Sequence, residues 1–154
     1  MFYSEGENRL SRLAELVSIL LVASSLVLVG LLSLNKINKL ARDYIRVGDL
    51  NYIALALEMY YNDNKVYPGK SGANQWSVLP SVLNDKYVSL VPGDPKKNVY
   101  EYWVSDNGQK YVLNATMELP EEHALRNDLD GEIFGCDCDD EFGGVSGREY
   151  CLTR

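Results

Sequence analysis

The sequence predicts an α+β chain in which one long N-terminal helix carries a small antiparallel sheet. Three observations lead there. An uncharged apolar run fills positions 16–34. With no proline before Pro68, it continues into a segment whose apolar residues recur at helical spacing. The remainder is short and turn-rich, with two β-rich runs on either side of an Asn-Gly turn.

The run LVSILLVASSLVLVGLLSL, at about 1.5 Å per residue, approaches the roughly 30 Å of a bilayer's hydrocarbon core. A cleaved secretory signal has a shorter apolar stretch, about 7–15 residues, before a small-residue cleavage site. Here Asn35-Lys36-Ile37-Asn38-Lys39 follows instead. A retained anchor is therefore expected, with residues 1–12 as a short tail, 13–35 as the transmembrane helix and 36–154 as an exported head. Gly30 and serines 18, 24, 25 and 33 permit close helix–helix approach and are also ordinary in membrane helices. Glu15 stands at the N-terminal lip of the span, where a carboxylate needs a partner or the headgroup level, with Arg12 nearby. Only Arg9 and Arg12 precede the span, whereas Lys36, Lys39, Arg42 and Arg46 follow it. The positive-inside rule taken alone would place the C-terminal part inside.

From position 36 the apolar residues Ile37, Leu40, Tyr44, Val47, Leu50, Ala54, Leu57 and Tyr61 form one stripe of an amphipathic helix over 36–63. Arg42, Arg46, Asp49, Glu58 and Asp63 are expected away from it. Asn62-Asp63-Asn64-Lys65 and Tyr67-Pro68-Gly69 end the helix. A helix from about Leu10 to Asn62 would be on the order of 80 Å long, so its first half must meet lipid or other subunits. Positions 64–117 hold a loop and a hairpin: a helical turn at 77–83, an extended piece at 87–90, then strands at 99–104 and 110–116 around Asn107-Gly108. Tyr100, Tyr102, Trp103 and Tyr111 divide between the core and an exposed aromatic hairpin face. Residues 149–152 make a last strand. So small a head is near the limit for a self-sufficient core, and a covalent or metal staple is expected.

The acidity belongs to the C-terminal loop, 118–154, which carries eleven acidic and three basic residues, a net of −8 against −7 for the whole chain. No basic nucleic-acid footprint is present. Asn127, Asp128, Asp130 and Gly131, then Asp137, Asp139 and Asp140, place oxygen ligands at alternating positions around glycine bends. That spacing suits calcium, though not as an EF-hand, and suits equally a capped turn or a solvated loop. Cys138 and Cys151 are far enough apart to close a loop around Gly143, Gly144 and Gly147, leaving Cys136 free. Zinc competes, since the three cysteines and His123 make four ligands, but in none of the common zinc spacings. A disulfide would belong to an oxidising location, and export is favoured over the charge rule on that ground. No nucleophile elbow, phosphate loop or nucleotide turn occurs, and His123 reads as a solvated surface side chain, so no enzyme is expected.

Taken in order, these residues resemble a known family. Leu13-Ala14-Glu15-Leu16-Val17 opens the apolar helix, and Ala54 to Asn64 leads to Tyr67-Pro68. Then come Leu90-Val91-Pro92-Gly93-Asp94-Pro95, the hairpin from Tyr100-Glu101-Tyr102 to Tyr111-Val112-Leu113, and the Asp128–Asp130-Gly131 loop. The set covers most of the chain. It resembles the type IV pilin-like proteins, in particular the major pseudopilin of type II secretion.

That resemblance implies a structural subunit of a pilus-like or pseudopilus-like filament, anchored in the membrane before assembly. Its partners would be itself, other pilin-like subunits, an assembly platform and a prepilin peptidase. The N-terminus would be cytoplasmic and the head extracytoplasmic, periplasmic or extracellular once assembled. Glu15 matches the glutamate that pairs with a neighbour's N-terminus in the family. Related pseudopilins bind calcium in the acidic loop, which favours Asp128 and Asp130, and other pilins close a C-terminal loop by a disulfide, which supports Cys138–Cys151. The chain departs from the family at the cleavage point. Aligning Glu15 as the fifth mature residue puts Leu10 and Ser11 at the cut, where prepilins have glycine and usually phenylalanine; cutting after Gly6 makes Glu15 the ninth residue. The alternative is an uncleaved single-pass protein whose exported head binds calcium or another ligand.

Overall fold

The computed structural model describes residues 4–97, 100–119, 129, 131–138 and 148–153, with residues 4–10 described by backbone alone. The chain divides into two units, Met1–Asn38 and Lys39–Arg154. Helix α1 spans Ser4–Asn64, beginning earlier and ending two residues later than the pattern predicts. In the first unit α1 is the only described element, and its apolar side chains face outward on every side.

In the second unit α1 buries Leu50, Ile53, Ala54 and Leu57, at the three- and four-residue spacing of one helical face. The buried stripe differs from the expected one at its start. Ile37 and Tyr44 are exposed, whereas Arg46, expected away from the stripe, is fully buried together with Asp43. Positions 43, 46, 50, 53 and 57 are the true face, and its first two members are charged because loop carboxylates and amides meet them there. The helix stops at Lys65, which takes a left-handed backbone (φ 63°) while its N–H donates to the Tyr61 carbonyl at 2.7 Å.

The expected helical turn is a 3-10 turn, Trp76–Val78, running into α2, Leu79–Leu83, with Pro80 in its first turn, where no backbone N–H is needed. The extended piece expected at 87–90 is no strand. Only a bridge joins Asn84 to Val88, across a turn in which Asp85 has φ 63°. Strands β1, Glu101–Val104, and β2, Tyr111–Thr116, form the hairpin, with Glu101 opposite Asn114 and Val104 opposite Tyr111. Gly108 takes φ 63° in the turn, which glycine adopts without strain. A two-residue hairpin, β3 Glu132–Ile133 and β4 Cys136–Asp137, turns through Phe134 and Gly135, both at positive φ. Strand β5, Glu149–Thr153, pairs antiparallel with β2, making a sheet in the order β1-β2-β5. The architecture is α+β: a long N-terminal helix whose C-terminal part packs on a small antiparallel sheet.

Because β2 is central, it is buried on both faces. Tyr111, Leu113 and Ala115 join Leu50, Ile53 and Leu57 in the main core, while Val112 meets Cys136, Cys138 and Cys151 on the opposite face. Tyr100, Tyr102 and Tyr111, expected to be shared with an exposed aromatic face, are all buried in the main core. Their hydroxyls find acceptors there: Tyr100 donates to Asp49 at 2.7 Å, Tyr102 to the Pro68 carbonyl at 2.8 Å, and Tyr111 more distantly to Glu58 at 3.5 Å. Tyr67 lies edge-on to Tyr111, with ring centroids 4.6 Å apart. Trp103 points to the other face, where a Cβ on Gly135 would come within 3.1 Å of its ring.

Candidate anchoring and assembly surface

Between positions 13 and 34 every large apolar side chain of α1 is 55–68 % exposed, so this helix has no core of its own. A helix apolar all round is stable only when lipid or other protein covers it. By length and composition α1 is long and apolar enough to cross a membrane. Its serines need no outside partner: Ser18, Ser24 and Ser25 donate to the carbonyls three residues back and Ser33 to the one four back, at 2.7–2.9 Å. Gly30 has no neighbour within 4 Å of where a Cβ would stand, leaving a smooth place for another helix. Glu15 is exposed at the start of this stretch.

The exposed apolar surface resumes on the part of α1 that belongs to the second unit. Tyr44, Tyr52, Leu55 and Met59, with Gly48 between the first two, fall on one face at four-, four-, three- and four-residue steps. Leu50, Ile53 and Leu57 occupy a different face, the one packed on the sheet. The helix thus serves the head with one stripe and leaves another exposed among the described residues.

A buried ion cluster docks two loops onto α1. Arg46, with no exposed surface, donates from Nε to Asp94 Oδ2 at 2.5 Å and from Nη1 to Asp43 Oδ1 at 2.6 Å, with Glu118 Oε1 at 3.3 Å. Asp43 accepts the backbone N–H of Glu118 and of Leu119, at 2.9 and 3.0 Å. Asp94 accepts the N–H of Lys96 at 2.7 Å. Arg42 grips Glu118 with two nitrogens, and Lys96 adds a third cationic contact at 2.8 Å. Three cations face three carboxylates, so the cluster is neutral. Burial alone would lower the Arg46 pKa, but the hydrogen bonds of Asp94 and Asp43 outweigh it and raise it. The hydrogen bonds of Arg42 hold the Glu118 carboxyl well below the usual carboxylate range. Burial raises Asp49, against the opposing hydrogen bond of Tyr100. No motif marked this cluster in the sequence. The signal available was the continuation of the core periodicity through Asp43 and Arg46.

On the far side of the sheet, Cys138 and Cys151 form a disulfide, with Cα atoms 5.9 Å apart and 13 residues of separation. Cys136 is a free, buried thiol, pushed up to about 12 by burial first and then by Glu101 and Glu149. Beside it lies a recess of about 230 Å³ lined by Glu101, Asn114, Thr116, Asp137 and Glu149. Of the candidate calcium ligands, Asp137 is exposed in β4, while Asp128, Asp130 and Asp139 lie outside the described residues, as does His123. No family model, no curated protein and no solved structure matches this chain.

Proposed function

We propose that this chain is a membrane-anchored structural subunit of a type IV pilin-like or type II secretion pseudopilus-like filament. The observation that carries the reading is the single helix Ser4–Asn64, apolar and exposed all round at 13–34 and the central core element of the head beyond. One helix with those two characters serves as a lipid anchor before assembly and as the packed centre of a filament afterwards. The second exposed stripe, Tyr44, Tyr52, Leu55 and Met59, supports protein neighbours outside the membrane as well, since lipid would not cover it in an exported head. In this reading Glu15 pairs with the N-terminus of an adjacent subunit, the head is extracytoplasmic, and other pilin-like subunits, an assembly platform and a prepilin peptidase are its partners.

The test is electron microscopy of native envelopes with gold-labelled antibody to the head, and N-terminal sequencing of the protein from the same sample. Label along thin filaments, with a trimmed N-terminus, is expected. Label confined to membranes with Met1 retained would replace this reading with the second one, an uncleaved anchor presenting a calcium- or ligand-binding head. The observation favouring that alternative is the Leu10-Ser11 pair at the aligned cleavage point.

A further inference from the structure

Three sulfurs meet beneath the sheet. Cys136 Sγ is 3.9 Å from Cys138 Sγ, and the sulfurs of Cys136, Cys138 and Cys151 all lie within 4.8 Å of one another, each on a buried side chain. From β1, Glu101 brings Oε2 to 4.0 Å from Cys136 Sγ, and that oxygen is held in place by the Trp103 Nε1–H at 2.9 Å. From β2, Asn114 places its amide nitrogen 3.4 Å from Cys151 Sγ. Trp103, Leu129, Ile133 and Phe134 pack around the group.

A tetrahedral zinc thiolate centre has metal–sulfur bonds of about 2.3 Å, which sets its sulfurs about 3.8 Å apart. Cys136 and Cys138 already stand at that separation, and a sulfur–oxygen edge of the same tetrahedron, about 3.5 Å, is close to the Cys136–Glu101 distance. We propose that in the reduced chain the thiolates of Cys136, Cys138 and Cys151, with the Glu101 carboxylate, form a tetrahedral site for a thiophilic divalent cation of the zinc class. A newly made chain carries all three thiols reduced, and opening the Cys138–Cys151 pair supplies two of the three thiolates. Metal and disulfide exclude each other, because a sulfur bonded to sulfur carries no negative charge to donate. Four protein ligands leave no open position, so the ion is structural: it ties β5 to β4 and β1 in the reduced chain. Asn114 supports the site from outside, its amide donating toward the Cys151 sulfur. The fourth ligand in this proposal is Glu101, a strand residue brought in by the fold, whereas the His123 that the sequence offered lies outside the described residues.

The experiment uses the full-length chain in detergent micelles, kept reduced with a phosphine and titrated with Co2+. One equivalent is expected to bind with the intense visible bands of tetrahedral cobalt and a thiolate charge-transfer band, both removed by stoichiometric Zn2+. Cys136→Ser keeps the disulfide, so an unchanged melting transition in its oxidised form shows that it folds. In its reduced form it should bind cobalt at least about 10–100-fold more weakly. Should the reduced wild-type chain lose its melting transition, Zn2+ is expected to restore it, since the metal's binding free energy becomes folding free energy. An octahedral cobalt spectrum, equal affinity in wild type and Cys136→Ser, or a reduced chain that neither binds cobalt nor regains its transition with Zn2+ would overturn the proposal.

Discussion

Removing Asp94 should be among the most damaging single changes to the head that leave its apolar core untouched. Its carboxylate spans Arg46 Nε and Nη2, and the two side chains are 1 % and 0 % exposed. Truncating one partner of a buried pair strands the other, typically at about 3–5 kcal/mol. Arg46 keeps Asp43 at 2.6 Å and Glu118 at 3.3 Å, so its charge remains compensated, which places Asp94→Ala at the lower end, about 3 kcal/mol. For a head of this size, roughly 4 °C per kcal/mol gives a fall in Tm of about 12 °C. Asp94→Asn keeps an acceptor and the shape of the side chain, and should lose less. Asp63→Ala is the control: Asp63 meets Lys86 at 3.0 Å, but both side chains are more than half exposed, and no resolvable shift is expected. Thermal melting of the full-length chain in detergent, followed by near-UV circular dichroism, reports on the head because Trp76 and Trp103 both lie there. A fall for Asp94→Ala no larger than for Asp63→Ala would refute the reasoning, leaving apolar packing alone to dock the loop at 91–97.

Other outcomes follow from the same geometry. The depressed Glu118 carboxyl contributes stability in full above its ordinary value of 4.5, and that contribution is lost as pH falls below it toward the folded value; burial raises Glu149, which acts in the opposite sense. Melting between about pH 5 and 3 should therefore be steeper for wild type than for Glu118→Gln, and equal slopes would remove Glu118 as the group responsible. Replacing both Cys138 and Cys151 with serine opens a loop of 13 residues of separation, and should cost about 2–4 kcal/mol, read as a lower denaturant midpoint; an unchanged midpoint would deny the staple its role. Leu113→Ala, at a fully buried position of the central strand, should cost about 2–5 kcal/mol, and a loss under about 1 kcal/mol would mean that the core there is poorly packed. Millimolar calcium should raise the Tm of the full-length chain, and Asp128→Ala with Asp130→Ala should cancel the gain; a Tm indifferent to calcium removes that ligand.

What could be read directly were features with a periodicity or a local rule. The apolar run at 16–34, the helix ending near Pro68, the Asn107-Gly108 hairpin and the final strand each follow from spacing or from a turn that few residues can make. The turn at 85–88 misled, because Tyr87-Val88-Ser89-Leu90 has strand composition, while a left-handed Asp85 and a single bridge to Asn84 turn the chain before a ladder can form. The hairpin through Phe134 and Gly135 had no signature, since phenylalanine at positive φ is disfavoured locally and is held by the packing around Trp103.

By itself the sequence determined an α+β chain with one span-length apolar helix, an amphipathic continuation and an acidic C-terminal segment, since all of these are properties of neighbouring residues. Only the tertiary structure decided which charges are core. Asp43 and Arg46 look like solvent residues until Asp94 and Glu118, 48 and 72 residues from Arg46, arrive to neutralise them. Only it, too, brought Glu101 to Cys136, 35 residues away in the chain, because the separate β3-β4 hairpin packs on the face of the β1-β2-β5 sheet that carries Val112 and Cys151. A charge is cheap to bury only beside a complementary partner, and that partner is chosen by the fold and not by nearness in the chain.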